Sequence, residues 1–191
     1  MWHIKSIFRV LVTSKLKFSY QIRRYILNLN PSIHIGKNTA IESDAKLLTV
    51  DKWGYGDIRI GSNSYIGHGV QIIPAFKGVT IGDNSTINSF SVIYGQGGVK
   101  IGSGVRIAAH CVIVPSNHIF TSPDEYIYKQ GMSCKGITIE DDVWIGAGVK
   151  VLDGCTISKG CVIGANAVVT KSTIPFGVYV GSPARLLKVR Q

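Results

Sequence analysis

The chain has 191 residues, enough for one domain with a real core, and combines abundant glycine (22) with few charged residues (17%). Short runs of Ile and Val recur throughout, which favours short strands joined by many turns over a helical bundle. The net charge of +10 is uneven: Lys5, Arg9, Lys15, Lys17, Arg23 and Arg24 all fall in the first thirty residues, which contain no acid.

Residues 1–30 form the first unit, a basic amphipathic helical segment. Ile4, Ile7, Phe8 and Leu11, then Ile22, Tyr25, Ile26 and Leu29, recur at intervals of three and four, as one face of a helix would. Two readings stay open. The segment lies on an anionic membrane surface near a lipid-linked substrate, or it is a cap over the open end of the following domain or a contact with another subunit. Its apolar run "IFRVLV" is too short to span a bilayer, and no small-residue cleavage site follows it, so neither a transmembrane helix nor a signal peptide is expected. No aromatic-basic nucleic-acid module accompanies the charge, and nucleic acid is not an expected partner.

Residues 31–191 carry an internal repeat. An aliphatic residue returns every six positions in groups of three: Ile35, Ile41, Leu47; Ile60, Ile66, Ile72; Ile81, Ile87, Ile93; Ile101, Ile107, Ile113; Ile139, Ile145, Val151; Ile157, Ile163, Val169. Four residues after most of them stands a small or β-branched residue, among them Thr39, Ser64, Ser85, Cys111, Cys155 and Cys161. Two inward positions per hexad fit a triangular coil with one short strand per side, the aliphatic residue filling a corner and the small one the narrower interior. Glycine commonly follows the corner residue, as at Gly36, Gly61, Gly82 and Gly146, where the chain is crowded or turning. Six such coils bury a continuous core.

The cysteines lack any zinc-ligand spacing and are expected to be reduced, with Cys111, Cys155 and Cys161 as small core residues. From the last hexad of one coil to the first of the next the steps are 13, 9, 8, 26 and 6 residues, so every insertion leaves at one edge of the prism. The largest, residues 118–137, begins at His118 and is expected to act as a lid. A tail, residues 174–191, closes the chain.

Together, the hexads, "SNH" followed by a polar insert, then "IEDDVWIGAGV", "VIGAN", "VVTKS" and "VGSPAR", resemble the acetyl-CoA-dependent O-acetyltransferases of the hexapeptide-repeat family. The resemblance implies an all-β fold, a left-handed parallel β-helix. It also implies a homotrimer with sites between subunits, acetylating a carbohydrate hydroxyl; the basic arm points to a capsule, O-antigen or other exported glycan as acceptor, and the reduced cysteines and the arm together to the cytoplasm or the inner face of the membrane. A small-molecule acetyltransferase, or less favourably a non-catalytic scaffold, is the alternative. His118 matches the family's general base; Asn88, Asn117 and Trp144 match acceptor-side positions, although Asn88 could equally serve a turn. Acetyl-CoA is expected along Ala147, Ala165 and Thr170, with Lys171, Arg185 and Lys188 near its phosphates, and no metal is expected. Cys134, in the insert, has no evident activating neighbour and is a poor candidate nucleophile. A zinc carbonic anhydrase of the same fold is disfavoured because His68, His110 and His118 occupy different phases of the hexad.

Overall fold

A computed structural model of the chain describes residues 16–51 and 54–191. The two-residue to three-residue strands stack into three parallel sheets. The first holds Ile33–Ile35, Ile58–Ile60, Val79–Ile81, Val99–Ile101, Ile137–Ile139 and Thr156–Ile157. The second runs from Ala40–Ile41 through Tyr65–Ile66, Thr86–Ile87, Arg106–Ile107 and Trp144–Ile145 to Val162–Ile163, and the third from Lys46–Leu47 through Gln71–Ile73, Val92–Tyr94, Val112–Ile113 and Lys150–Val151 to Val168–Val169. The chain visits first, second and third sheet in turn and then starts the next coil, giving a triangular β-solenoid. Register pairs each aliphatic residue with its counterpart in the next coil, as in Ile66, Ile87, Ile107, Ile145 and Ile163.

Those isoleucines are fully buried, and Cys111, Cys155 and Cys161 lie in the same core. Burial raises the thiol pKa of Cys111 and Cys155, the latter also through Asp153, which keeps both protonated and unreactive. Where the small inward residue is Ser, its hydroxyl stays satisfied: Ser64 and Ser85 Oγ donate to the Gly82 and Gly102 carbonyls, and each accepts a backbone N–H from the next coil, Ser85 and Val105 respectively.

Turning and crowding are divided between different residues. Asn38, Asn63, Asn84, Gly69, Gly148 and Asn166 take positive φ in the turns. Gly36 and Gly146 do not turn; a Cβ on Gly36 would lie 2.6 Å from the Ser62 nitrogen, and one on Gly146 2.7 Å from the Ala165 nitrogen. The glycines after the aliphatic positions therefore serve the close approach of successive coils.

The helix over residues 16–27 crosses the open end of the first coil. Tyr20 donates to Glu42 Oε1 (2.6 Å), Arg23 to the Ala45 carbonyl (2.8 Å), and Leu27 packs against the core. The Asn28 side chain bridges the N–H and carbonyl of Ile35. The capping reading therefore holds for this helix, yet Ile22, Tyr25, Ile26 and Leu29, the apolar face expected from the spacing, are exposed. Ile4, Ile7, Phe8 and Leu11 lie outside the described residues. No described helix is long and apolar enough to cross a membrane.

At the other end, Gly177–Val180 continues the second sheet and Arg185–Val189 pairs antiparallel with it. Arg190 donates to the Gly160 carbonyl (2.6 Å), tying the tail across the last coil.

Candidate functional site

All insertions leave between a third-sheet and a first-sheet strand, as the spacing predicts. The largest departs after Ile113 and rejoins at Ile137, so His118 lies inside it and does not end the third face. The insert is also ordered. Asn117–His118 pairs antiparallel with Met132–Ser133, His118 facing Met132, and the Ile119 N–H donates to the Gly131 carbonyl (3.0 Å). Gln130 accepts from the Ser122 N–H and donates to the Ser122 and Glu125 carbonyls, closing the loop by itself. Asp153 accepts the N–H groups of Lys135 and Gly136 at 2.9 Å and the Ser133 hydroxyl at 3.2 Å, fastening the returning strand to the coil. Both ends of the insert cross over Gly97: a Cβ there would strike the Pro115 carbonyl oxygen and come within 2.7 Å of the Gly136 nitrogen.

This root holds His118 by its backbone while its side chain stays exposed. Among the described residues no carboxylate lies within ion-pair distance of it. Asn117 is exposed beside it, and Cys134 is half-buried, its carbonyl accepting Lys77 Nζ at 3.2 Å. At the foot of the insert lies a cleft of about 470 Å³ lined by Lys77, Lys100, Lys135, Thr138 and Thr156, three cations without an acid in the lining. At its tip the rings of Tyr126 and Tyr128 stack with centroids 6.0 Å apart, and Lys129 Nζ lies 5.8 Å from the first. Both rings are exposed.

The remaining expected residues are spread over other edges. Asn88 follows Ile87 in the turn between second and third sheets, where its Nδ2 donates to the Ile107 carbonyl of the next coil (3.0 Å), so its amide already satisfies a backbone group there. Trp144 stands half-exposed on the second sheet between Arg106 and Val162. Ala147 and Ala165 are exposed neighbours along the second–third edge, with the Asn166 N–H bonded to the Ala147 carbonyl (2.8 Å). Arg185, paired with Val180, extends that line; Lys188, paired with Val178, lies on the same added strand. Thr170 and Lys171 follow Val169 at the third–first edge, with Thr170 and Lys171 both exposed. One chain thus gathers Ala147, Ala165 and Arg185 along one edge and His118, Asn117, Thr170 and Lys171 along another.

Sequence reasoning missed one further cluster. His68 lies 3.0 Å from Asp44 and 3.5 Å from Glu42, and Glu42 Oε1 also accepts the hydroxyls of Tyr20 and Tyr65. The bond to Glu42, then burial, pushes the Tyr20 pKa up to about 12; burial and the same carboxylate raise that of Tyr65. The spacing of these residues carries no motif, because two coils and the helix bring them together. Among the described residues no three His, Cys, Asp or Glu side chains are grouped as metal ligands.

The model of the bacterial transferase hexapeptide (six repeats) matches residues 136–171, and that of the hexapeptide repeat of succinyl-transferase matches residues 57–94. The putative lipopolysaccharide biosynthesis O-acetyl transferase WbbJ of Escherichia coli is 31% identical over 141 residues, covering 70% of this chain and 72% of that protein. The chain belongs to the hexapeptide-repeat transferase family. A probable acetyltransferase of Mycobacterium tuberculosis is 30% identical over 161 residues, 83% of this chain, which spans only half the length of that family member. Among solved hexapeptide-repeat structures, a mutant of the N-acyltransferase AntD of Bacillus cereus, in complex with dTDP and coenzyme A, has a TM-score of 0.73 at 23% identity, covering 87% of this chain and 88% of that one. That likeness bears on the fold.

Proposed function

We propose that the protein is an acetyl-CoA-dependent O-acetyltransferase acting on a sugar hydroxyl of a bacterial surface glycan, as a homotrimer on the cytoplasmic side of the membrane. The observation that carries this reading is the exposed imidazole of His118, held by backbone pairing at the root of an ordered insert. The E. coli relative, described as an O-acetyl transferase of lipopolysaccharide biosynthesis, supports the acceptor class. AntD, crystallised with coenzyme A, supports the donor.

In this reading an unprotonated ring nitrogen of His118 accepts the proton of the acceptor hydroxyl. The freed oxygen attacks the thioester carbonyl, the C–S bond breaks as the oxyanion collapses, and the imidazolium returns its proton to the CoA sulfur. Trp144 Nε1–H is suited to donate to the oxyanion or the acceptor, and Asn88 retains its side-chain carbonyl for an acceptor hydroxyl. Ala147 and Ala165 offer a slender pantetheine arm close access to backbone groups, while Arg185, Lys188 and Lys171 suit the phosphates. Because these groups stand on different edges of one chain, a working site needs the edges of two neighbouring copies. The three lysines of the cleft suit an acceptor that bears a phosphate or carboxylate, and the stacked Tyr126 and Tyr128 offer flat apolar faces to a sugar ring.

The test is release of CoA thiol by the full chain with acetyl-CoA and a glycan acceptor, with mass analysis of the product. His118→Ala should lower kcat/KM by about 10²–10⁴-fold with an unchanged thermal melt, whereas Cys134→Ser should retain activity. Full turnover in the His118 variant, or loss in the Cys134 variant, would reject the direct-attack mechanism.

A further inference from the structure

The N-terminal helix docks with the side that the sequence pattern does not mark as apolar. At about 100° per residue, Tyr20, Arg23, Arg24 and Leu27 share one side, and these are its partly buried residues. Phe18, Ile22, Tyr25 and Ile26 cluster on the opposite side, continued by Leu29 in the turn that follows the helix, with relative exposures of 44–69%. The contacts of the docked side run to Ile35, Glu42 and Ala45, all in the first coil. The apolar stripe is therefore left exposed at the solenoid end, with Phe18, Ile22 and Ile26 bordering a groove that Ser43 of the first coil also lines. Five large apolar side chains in one contiguous stripe are more than a water-facing helix normally presents. Membrane-surface helices put such a stripe in the acyl boundary and rely on neighbouring cations for attraction to anionic headgroups. Six Lys and Arg and no acid occupy residues 1–30, Arg23 and Arg24 among them on the docked side.

We infer that this helix is a two-sided adaptor, one side capping the first coil and the stripe of Phe18, Ile22, Tyr25, Ile26 and Leu29 seating the solenoid end on an anionic lipid surface. The choice of lipid over a protein partner rests on charge: the stripe carries no acid and belongs to a segment of uniformly positive sign. The inference stands apart from the chemistry proposed above, but it fixes a height for it. The insert with His118 leaves the fourth coil, three strand spacings of about 4.8 Å from the first. With a helix of about 10 Å diameter beneath, His118 would stand roughly 25 Å above the lipid. That suits a sugar carried on a lipid-linked chain and not a group within the bilayer.

Flotation of the full chain with phosphatidylcholine vesicles, with and without phosphatidylglycerol, tests this. The chain should float with the mixed vesicles, lose binding as salt rises, and bind pure phosphatidylcholine at least tenfold less. Ile22→Glu combined with Ile26→Glu should reduce binding to mixed vesicles at least tenfold while leaving the thermal melt of the coil unchanged, because both side chains are exposed and outside the buried core. CoA-thiol release on a small soluble acceptor should not change, so failure here is separable from failure of the acyl-transfer reading. Equal flotation of the double variant, equal binding to uncharged vesicles, or no flotation of either chain would overturn the inference. So would a fall in oligomer size caused by the double variant without any vesicle binding, which would assign the stripe to a contact between copies.

Discussion

At residue scale, glycine decides where the insert can be rooted. Gly97 lets the departing Pro115 and the returning Gly136 pass over the same point, and no side chain fits between them. Gly97→Ala should therefore cost about 1–3 kcal/mol as an overpacked position, read as a lower urea midpoint, and should lower acetyl transfer further by displacing His118. Unaltered midpoint and turnover would mean that the crossing relaxes freely. Asp153 has the complementary role, since its carboxylate satisfies backbone donors of the returning strand that would otherwise lack a partner. Neither residue stands out in the sequence: Gly97 is one of many glycines, and Asp153 sits in an ordinary turn. By contrast His118 stands out because the hexad breaks around it.

At the scale of elements, the cap is coupled to the coil through Glu42, which accepts from Tyr20 and Tyr65. The bonded Tyr20 holds its proton up to about pH 12 against an ordinary value of 10.0. The folded chain thus binds more protons than the unfolded chain between those values, so this contribution is fully present below pH 10 and is lost as pH climbs to 12. Thermal melts across that window should show stability falling, and Tyr20→Phe should make the fall shallower. Parallel losses in the two chains would show that the bond does not couple cap and coil. The insert teaches the same lesson on another element: read as a polar lid, it is an ordered hairpin because Gln130 and Asp153 satisfy its backbone. The Gln130 bonds follow no hexad period, whereas Asp153 meets Lys135 one full coil of 18 residues earlier, a relation hidden by the insert.

For the whole molecule, stability is carried by stacked interfaces between neighbouring coils. Ile107, fully buried in the fourth coil between Ile87 and Ile145, should cost about 2–5 kcal/mol when cut to Ala and about 0.5–1.5 kcal/mol when cut to Val. Urea unfolding measures both, and equal small losses would indicate that the column collapses around the gap. Removing residues 1–30 is a poor probe of membrane contact, because it also strips Tyr20, Arg23, Leu27 and Asn28 from the open coil end. Point changes on the outward stripe separate the two roles.

The six-residue period by itself determined the triangular coils, their inward residues, the buried cysteines and the single edge at which insertions leave. Each follows from a local rule repeated, since a side chain's direction in a short strand depends on its place in the hexad. The sense of winding came from family resemblance, as period alone is blind to hand. Only the tertiary structure decided that the helix turns its apolar stripe outward. Spacing shows that a helix has an apolar face, but which face docks depends on partners at the coil end, here Glu42, Ala45 and Ile35. It alone also placed His118 inside an ordered insert and not at the end of the third face, because the path of an insertion is set by bonds outside the repeat.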